Sequence, residues 1–194
     1  MKHAVIVGHP DPDSFTLAVA RRYCDAVAAR GHEPVLRDLY GMGFDPCLKA
    51  GEIPRPGGFA PAEDVVAERG IVGDAQVFVF VHPLWFYDRP AIVKGYIDRV
   101  FGMGFGYGPV RGGGNEQRLV GRKLLSFTST GAPTEWLQEE GSWEPIRTLL
   151  DEHLARVCGL QVLDHVHFGE ITSDLPQAAF EDCMRRVDEA AGRA

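Results

Sequence analysis

The chain has 194 residues, of which 45% are hydrophobic and 24% charged, as expected for one globular domain over residues 1–194. Its 20 basic and 27 acidic side chains give a formal net charge of -7, which opposes binding to nucleic acid or to an anionic membrane. It has no apolar run near the roughly 20 residues that span a bilayer, and no C-x-x-C pair, so we expect a cytoplasmic protein with no integral membrane segment and with reduced thiols.

Five runs with the composition of strands alternate with segments whose apolar residues recur at helical spacing. Two stretches rich in Gly and Pro, 40–60 and 102–118, predict long irregular loops. In chain order we predict a strand at 3–8, a helix from 15 that ends at Gly31, a strand at 33–38, a helix from 61, a strand at 76–82, a helix at 90–101, a strand at 123–128, a helix at 143–157, a strand at 160–168 and a closing helix at 175–191.

Strands that are apolar on both faces and alternate with helices are typical of a parallel sheet covered by helices on both sides. The prediction is therefore an α/β fold, a flavodoxin-like three-layer sandwich with a five-stranded parallel sheet of order 2-1-3-4-5. In this order, ligands bind at the carboxyl ends of the strands, near the loops that follow strands one and three. Three loops at that edge have an unusual composition for simple connections.

The loop after the first strand carries His9 and leads to Ser14, Phe15 and Thr16 at the start of a helix. The hydroxyls of Ser14 and Thr16, with the free N–H groups of the helix terminus, can hold a phosphate in the field of the helix dipole. His9 can add a donor or a positive charge. The alternative is that Ser14 only caps the helix and His9 only packs.

The loop after the third strand contains Pro83, Leu84, Trp85, Phe86 and Tyr87. Backbone N–H groups of such a rigid turn can hydrogen-bond an isoalloxazine ring while aromatic edges enclose it. The alternative is an aromatic cluster that seals the end of the sheet.

The loop after the fourth strand carries Thr128, Ser129, Thr130 and Gly131, and continues to Trp136. Its hydroxyls and free amides can contact the pyrimidine side and the ribityl chain of a flavin. The alternative is a polar strand-to-helix turn with a cap. The coincidence of the three loops on one edge favours a flavin site more than any one of them does.

At these residues the chain resembles the flavodoxin-like NAD(P)H:quinone oxidoreductases, a family that also includes drug-activity modulators and the ancillary flavoproteins of potassium-efflux systems. The family's first-loop pattern matches His9 and Ser14-Phe15, with Thr16 where Asn is usual. Its pattern of Pro-Leu, aromatics, Pro-Ala, Lys-Gly-aromatic and Arg-Val-Phe matches residues 83–101, and its Thr-Gly loop matches 126–131.

The resemblance implies a flavin-dependent NAD(P)H dehydrogenase (quinone), which passes hydride from NADH or NADPH through the flavin to a quinone or a similar flat acceptor. It implies FMN as the first choice and FAD as the second, because the long C-terminal extension of the larger FAD-using members is not seen. It also implies a homodimer whose active site is completed across the interface, with Phe105 and Tyr107 as a lid and Tyr87 beside the substrate. An alternative is a regulatory flavoprotein subunit of a potassium-efflux-type transporter.

Two positions depart from the family pattern. The Tyr and the His that are credited in this family with handling charge on the reduced flavin correspond here to Trp136 and Ser142. Indole is only a fixed donor, and we expect neither side chain to handle a proton as its counterpart in the family does, so the sequence assigns no catalytic side chain. That charge is expected to rest on backbone dipoles or water.

Two further patterns are interpreted as structural. His165 and His167, with Glu170 near, offer spacing that a metal could use, but packing or hydrogen bonding is sufficient to explain them, and we expect no metal. The pairs Asp88-Arg89 and Asp98-Arg99 are predicted to be solvated charges at helix ends.

Overall fold

The computed structural model describes residues 1–55, 58–110 and 114–194. The elements are β1 Lys2–Val7, α1 Phe15–Ala28, β2 Glu33–Asp38, a 3-10 turn at Ala50–Glu52, α2 Glu63–Val72, β3 Val77–Pro83, α3 Ala91–Val100, β4 Tyr107–Pro109, β5 Asn115–Gln117, β6 Lys123–Ser129, α4 Thr134–Glu139, α5 Trp143–Arg147, a π-helical turn at Thr148–Glu152, α6 His153–Cys158, β7 Gln161–Phe168 and α7 Gln177–Ala191.

The main sheet has five parallel strands in the order β2-β1-β3-β6-β7. This is the predicted order 2-1-3-4-5, which is confirmed, because β4 and β5 form a separate antiparallel hairpin. Successive side chains of the central strands face opposite layers and are buried in both. Val5 and Val79 pack toward α1 and α7, whereas Ile6 and Phe80 pack toward α2, α3 and α6.

The predicted strands agree with the structure to within one or two residues, but three segments differ. The glycine-rich stretch 102–118 contains the hairpin β4–β5, and residues 111–113 within it lie outside the described residues. Helix α4 was not predicted, because six residues are too few to show helical periodicity. The helix predicted at 143–157 begins at Trp143 but widens to a π-helical turn at Thr148–Glu152.

A bulge in β7 changes which side chains face each layer. Leu124 pairs with Val162 and Leu125 with Asp164, so Leu163 is the extra residue. Leu163 and Val166 both pack on the α1 and α7 side. Without the bulge, residues 163 and 166 would face opposite layers, and the histidines at 165 and 167 would not reach the side where α5 and the π-helical turn lie.

The prediction of solvated charges is wrong for Arg99. Its side chain is 1% exposed and donates to Glu52 and Asp64, at 3.1 and 2.7 Å, and to the carbonyl of Asp45. Although burial lowers the pKa of the Arg99 guanidinium, the hydrogen bonds and charges of the two carboxylates raise it above its ordinary value. Arg99 therefore joins α3 to the 3-10 turn and to α2, while Asp98 remains at the surface.

The same prediction is wrong for Arg89. Its guanidinium donates to the carbonyl of Leu150, and its Nε is enclosed without a hydrogen-bond partner among the residues that the structure describes. Burial lowers the pKa of Arg89 to about 10. In the described ranges, no helix combines the length and the apolar character needed to cross a bilayer.

Candidate functional site

A pocket of about 310 Å³ opens at the carboxyl edge of the sheet, where the loops after β1, β3, β6 and β7 meet. It is lined by residues from all three loops that the sequence singled out. Those predicted residues are His9, Ser14, Phe15, Thr16, Pro83, Leu84, Trp85, Ser129, Thr130 and Gly131. The structure thus brings together ten residues from three loops that are far apart in the chain.

The amino terminus of α1 forms one end of this pocket. Ser14 is the N-cap, with φ -67° and ψ 156°, and its hydroxyl accepts from the N–H of Leu17 at 3.3 Å. The first backbone N–H bonded within the helix is that of Ala18, which donates to the Ser14 carbonyl. The N–H groups of Phe15 and Thr16 come before it and are the donors that a helix terminus leaves for an anion. Ser14 caps the helix and lines the pocket at once.

His9 lies beside Trp85, with their ring centroids 6.0 Å apart. The Nδ1 atom of His9 lies 3.1 Å from the backbone nitrogen of Asp11 and 3.3 Å from its carbonyl oxygen, so this side of the ring faces its own loop. Among the described residues, Nε2 of His9 has no hydrogen-bond partner, so this nitrogen is left for a ligand.

The turn after β3 is a strained hairpin turn. The backbones of Trp85 and Asp88 exchange two hydrogen bonds of 3.1 Å, and Phe86 and Tyr87 between them have φ of 53° and 60°. Positive φ at both central positions is typical of a type I′ turn, which favours Asn and Gly. Bulky side chains in this conformation cost about 1–3 kcal/mol each and cluster at functional sites. The one other such residue among those described, Glu170, follows β7 at the same edge.

Three residues predicted to bind the cofactor are not part of the pocket lining. Phe86 projects fully into solvent from the strained turn. Thr128 is buried and bonds to His165 and His167. Trp136 lies on α4 with 56% of its surface exposed.

The residues predicted to contact substrate also lie outside the pocket within one copy of the chain. The hydroxyl of Tyr87 donates to Glu140 at 3.2 Å on the outer side of the turn. Phe105 packs edge-on against Phe101, with ring centroids 5.6 Å apart, in the core layer of α2 and α3. Tyr107 lines a different groove, between α3 and α6.

Ile171, Thr172 and Ser173 line the pocket and were missed by the sequence reasoning. They follow the last strand of the sheet, at the edge where the other three loops end. Their position after the last strand could have predicted them, because every loop that follows a parallel strand reaches the same edge of the sheet.

A line of hydrogen-bonded side chains connects the pocket to the protein interior. Thr130 bonds to His167 Nε2 at 3.0 Å, and His167 Nδ1 bonds to Thr128 at 2.9 Å. Thr128 bonds to His165 Nε2 at 2.7 Å, and His165 Nδ1 lies 2.6 Å from Asp151.

Two groups in this line have shifted pKa values. Burial, together with the charges of His165 and Arg186, lowers the pKa of His167 to about 4. Burial alone would raise the pKa of Asp151, but hydrogen bonds from His165 and Ser126 hold it below its ordinary value. Among the described residues, no three His, Cys, Asp or Glu side chains are arranged to hold a metal ion.

A family model described as "Flavodoxin-like fold" matches residues 1–191 of this chain. The chain belongs to the flavodoxin-like fold family. This membership agrees with the strand order and with a pocket at the carboxyl ends of β1 and β3.

Individual relatives of this flavodoxin-like chain carry reductase names. The chain is 31% identical to an "Uncharacterized NAD(P)H oxidoreductase" of Haemophilus influenzae over 172 residues, which cover 88% of this chain and 85% of the relative. It is 28% identical to NAD(P)H dehydrogenase (quinone) 1 of Cavia porcellus over 82% of this chain, but spans only 65% of that protein. The solved NAD(P)H:quinone oxidoreductase from Methanothermobacter marburgensis superposes with a TM-score of 0.87 at 26% identity, covering 98% of this chain and 97% of that one.

The arrangement in this flavodoxin-like protein suits a flat, phosphorylated ligand. The donor set at one end, two hydroxyls and the free N–H groups of α1, fits a phosphate. Trp85 and Leu84 provide apolar surface at the β3 loop, and Ser129 and Thr130 provide hydroxyls at the neighbouring β6 loop. The chemistry of these donors therefore fits a flavin nucleotide.

Proposed function

We propose that this protein is a flavin-dependent NAD(P)H:quinone oxidoreductase that binds its flavin in the pocket at the carboxyl edge of the sheet. One observation carries the proposal, namely that ten residues predicted from three separate loops line a single pocket at a helix amino terminus. When bound, the flavin supplies the hydride chemistry, and the protein contributes binding, orientation and exclusion of water. The reductase names of the relatives support this assignment.

The residues of the pocket divide into three binding roles. Ser14, Thr16 and the α1 terminus would hold the phosphate, because hydroxyls and free N–H groups at a helix amino terminus favour an anion. Trp85, in the β3 loop, would offer apolar surface to the ring system. Thr130 and Ser129 hydrogen-bond the ribityl chain and the pyrimidine side.

FMN is the first choice of flavin, because one helix amino terminus among the lining residues suits its single phosphate, and FAD is the second. The electron donor is NADH or NADPH, and the acceptor is a quinone or a similar flat ring. The four free cysteines agree with a reducing, cytoplasmic location.

We further propose a homodimer. Within one copy, Phe105 and Tyr107 lie away from the pocket, so a lid built from this segment requires a second copy. Sedimentation equilibrium of the holoprotein tests this point, with a mass of two chains as the expected result and a monomer as the contrary one. The three relatives named above give no support to the alternative of a regulatory transporter subunit.

Paired substitutions at Ser14 test the assignment of the phosphate site. Ser14→Asp keeps a good N-cap but places a carboxylate beside the phosphate, whereas Ser14→Ala loses the cap and adds no charge. We expect flavin affinity to fall by at least about tenfold, or about 1.4 kcal/mol, in Ser14→Asp, and by much less in Ser14→Ala. Equal flavin binding by Ser14→Asp and the wild type, measured by fluorescence titration, contradicts the site.

A steady-state assay tests the reaction itself. Rates measured over a matrix of NAD(P)H and quinone concentrations should give parallel double-reciprocal lines, because one pocket serves both substrates in turn. Absence of quinone reduction by the flavin-loaded protein contradicts the proposed activity.

A further inference from the structure

The line of hydrogen bonds behind Thr130 is closed off from solvent. His165 and Asp151 have side chains only 1% and 2% exposed, and Thr128 and His167 are also buried. Ser126 ends the line by donating to Asp151 at 2.6 Å. Only Thr130 belongs to the lining of the pocket.

Two backbone irregularities bring these side chains together. The bulge at Leu163 turns His165 and His167 toward the layer that contains α5. The π-helical turn at Thr148–Glu152 carries Asp151, and such turns are frequent at functional sites. The line therefore depends on two local departures from regular geometry.

The directions of the hydrogen bonds follow from the partners. The Thr130 hydroxyl donates to the carbonyl of Ala132 at 2.8 Å, so it accepts from His167 Nε2. A neutral His167 then accepts at Nδ1 from the hydroxyl of Thr128.

The inner half of the line is fixed in the same way. Because the only hydrogen of the Thr128 hydroxyl is used, its oxygen accepts from His165 Nε2. At 2.6 Å, the contact between His165 Nδ1 and Asp151 must also contain a hydrogen. With Asp151 ionised, His165 is the doubly protonated imidazolium.

The same atoms allow a second arrangement that holds one proton fewer. In this arrangement, the Thr130 hydroxyl gives its hydrogen to the pocket and receives the hydrogen from Nε2 of His167. Nδ1 of His167 then receives the hydrogen of the Thr128 hydroxyl. Thr128 then takes the Nε2 hydrogen of His165, which becomes neutral and keeps its Nδ1 hydrogen toward Asp151. One proton leaves at Thr130, and one positive charge disappears at His165.

We propose that Thr130, His167, Thr128 and His165, held by Asp151, form a proton relay that neutralises the negative charge that hydride transfer leaves in the pocket. The proposal rests on the proposed function, because the charge arises only when a flavin accepts hydride there. Neither Trp136 nor Ser142 lines the pocket, whereas Thr130 does. Thr130 is the catalytic residue, and the others are positioning residues that act through it.

Every proton is accounted for over a full turnover. Hydride brings two electrons and one proton into the pocket, and the relay adds one proton. When hydride passes on to a quinone, the relay proton returns to His165, and the second proton that the quinone needs comes from water. NAD(P)H, quinone and one solvent proton thus give NAD(P)⁺ and hydroquinone.

Other charged groups surround the relay and keep its hydrogens in place. Arg186 donates to the backbone carbonyl of His167 at 2.8 Å, and Asp164 accepts from the backbone N–H of His165. The charge of Arg89 acts on Asp151, and neutral His82 lies in the same layer. Trp143 covers the relay, with its ring centroid 4.9 Å from that of His165.

Nitrogen NMR of the holoprotein, with ¹⁵N-labelled histidine rings, tests the relay directly. The spectra are recorded before and after anaerobic reduction with dithionite. We expect the hydrogen of His167 to move from Nε2 to Nδ1 on reduction, and His165 to lose its imidazolium signature. The exposed His153, in the same spectrum, is the internal control and should not change tautomer.

Two substitutions of the pocket residue complete the test. Thr130→Val removes the hydroxyl at nearly constant volume, so the switch of His167 should disappear, and single-turnover reduction by NAD(P)H should slow by about tenfold or more. Thr130→Ser restores a hydroxyl and should restore both readouts.

The outcomes separate the two proposals. A protein that binds and reduces flavin while His165 and His167 keep their hydrogens overturns the relay and leaves the reductase assignment intact. A switch of His167 that persists in Thr130→Val with bound flavin also overturns the relay. A wild-type protein that binds no flavin overturns both.

Discussion

Arg99 is a buried charge that pairs with two carboxylates at once. It lies in α3 with its guanidinium enclosed, facing Glu52 on one side and Asp64 on the other. Glu52 is itself only 6% exposed, so removing Arg99 would leave a buried carboxylate without its cation. A buried charge that loses its partner destabilises a protein far more than a surface charge does.

We expect Arg99→Met to lower the free energy of unfolding by about 3 kcal/mol. The value is at the low end for buried pairs, because Asp64 is half exposed and stays hydrated. Urea denaturation measures the change, and Arg185→Met, which breaks a surface pair on α7, is the matched control with a much smaller effect. Equal losses in the two variants would contradict the structural role of Arg99.

For single side chains, the burial of charged groups was the property that the sequence predicted least well. Asp98 and Arg99 are adjacent at the end of α3, and the pattern of charges at a helix end favours solvation. The carboxylates that enclose Arg99 come from residues 35 and 47 positions away in the chain. Such pairing depends on tertiary contacts, which a local pattern cannot reveal.

The turn between Trp85 and Asp88 holds its residues in an unfavourable backbone conformation at a loop that we assign to function. Phe86 adopts a positive φ although its side chain makes no buried contact, so the fold gains nothing from it. Strain that no packing repays is typical of functional loops. The ring projects into solvent next to Trp85, which lines the pocket, and we propose that it contacts the substrate.

Phe86→Asn should therefore stabilise the protein and weaken its use of quinone. Asn tolerates positive φ, and the relief of about 1 kcal/mol should raise Tm by about 2–4 °C. The KM for quinone should rise several-fold while flavin affinity stays close to that of the wild type. Val120→Asn, at another exposed apolar residue with ordinary φ, is the control and should bring no gain in Tm. An unchanged or lower Tm in Phe86→Asn contradicts the strain.

Regular elements were predictable and irregular ones were not. The runs at 3–8 and 76–82 became strands because their apolar composition matches burial between two helical layers. The bulge at Leu163 adds one residue to the strand, and the π-helical turn at Thr148–Glu152 adds one residue to a helical turn. The sequence of β7 carries no local signal for the bulge. Both irregularities position the relay, so the sequence did not reveal it.

At the scale of the molecule, three buried histidines make stability depend on pH. Burial is the main cause that lowers the pKa of His82 to about 3, and of His3 and His167 to about 4. In the unfolded chain the same rings titrate near 6.5. Between these values the unfolded chain binds protons that the folded protein does not, so stability is complete above about pH 6.5 and is lost as the pH falls toward 4.

His82→Gln tests this dependence with one titrating group removed. The slope of the unfolding free energy between pH 6 and pH 4, measured by urea titration, should decrease by up to about 1.4 kcal/mol per pH unit. His153→Gln, at an exposed position, should keep the wild-type slope. A steeper slope in His82→Gln would contradict the sign of the effect.

Most of the pocket was predictable because parallel strands deliver their loops to one edge. Ser14, Trp85 and Thr130 follow three different strands, yet the strand order alone places them together. Phe105 and Tyr107 were assigned by resemblance, and in a single chain they lie elsewhere. A contribution from a second copy depends on assembly rather than on the fold of one chain.

The absorbance spectrum of the purified protein, with mass identification of the molecule released on denaturation, tests the central claim most directly. We expect flavin bands and a released FMN, at up to one molecule per chain. A colourless protein that also binds no added FMN or FAD would contradict the assignment of the pocket and of the reductase activity.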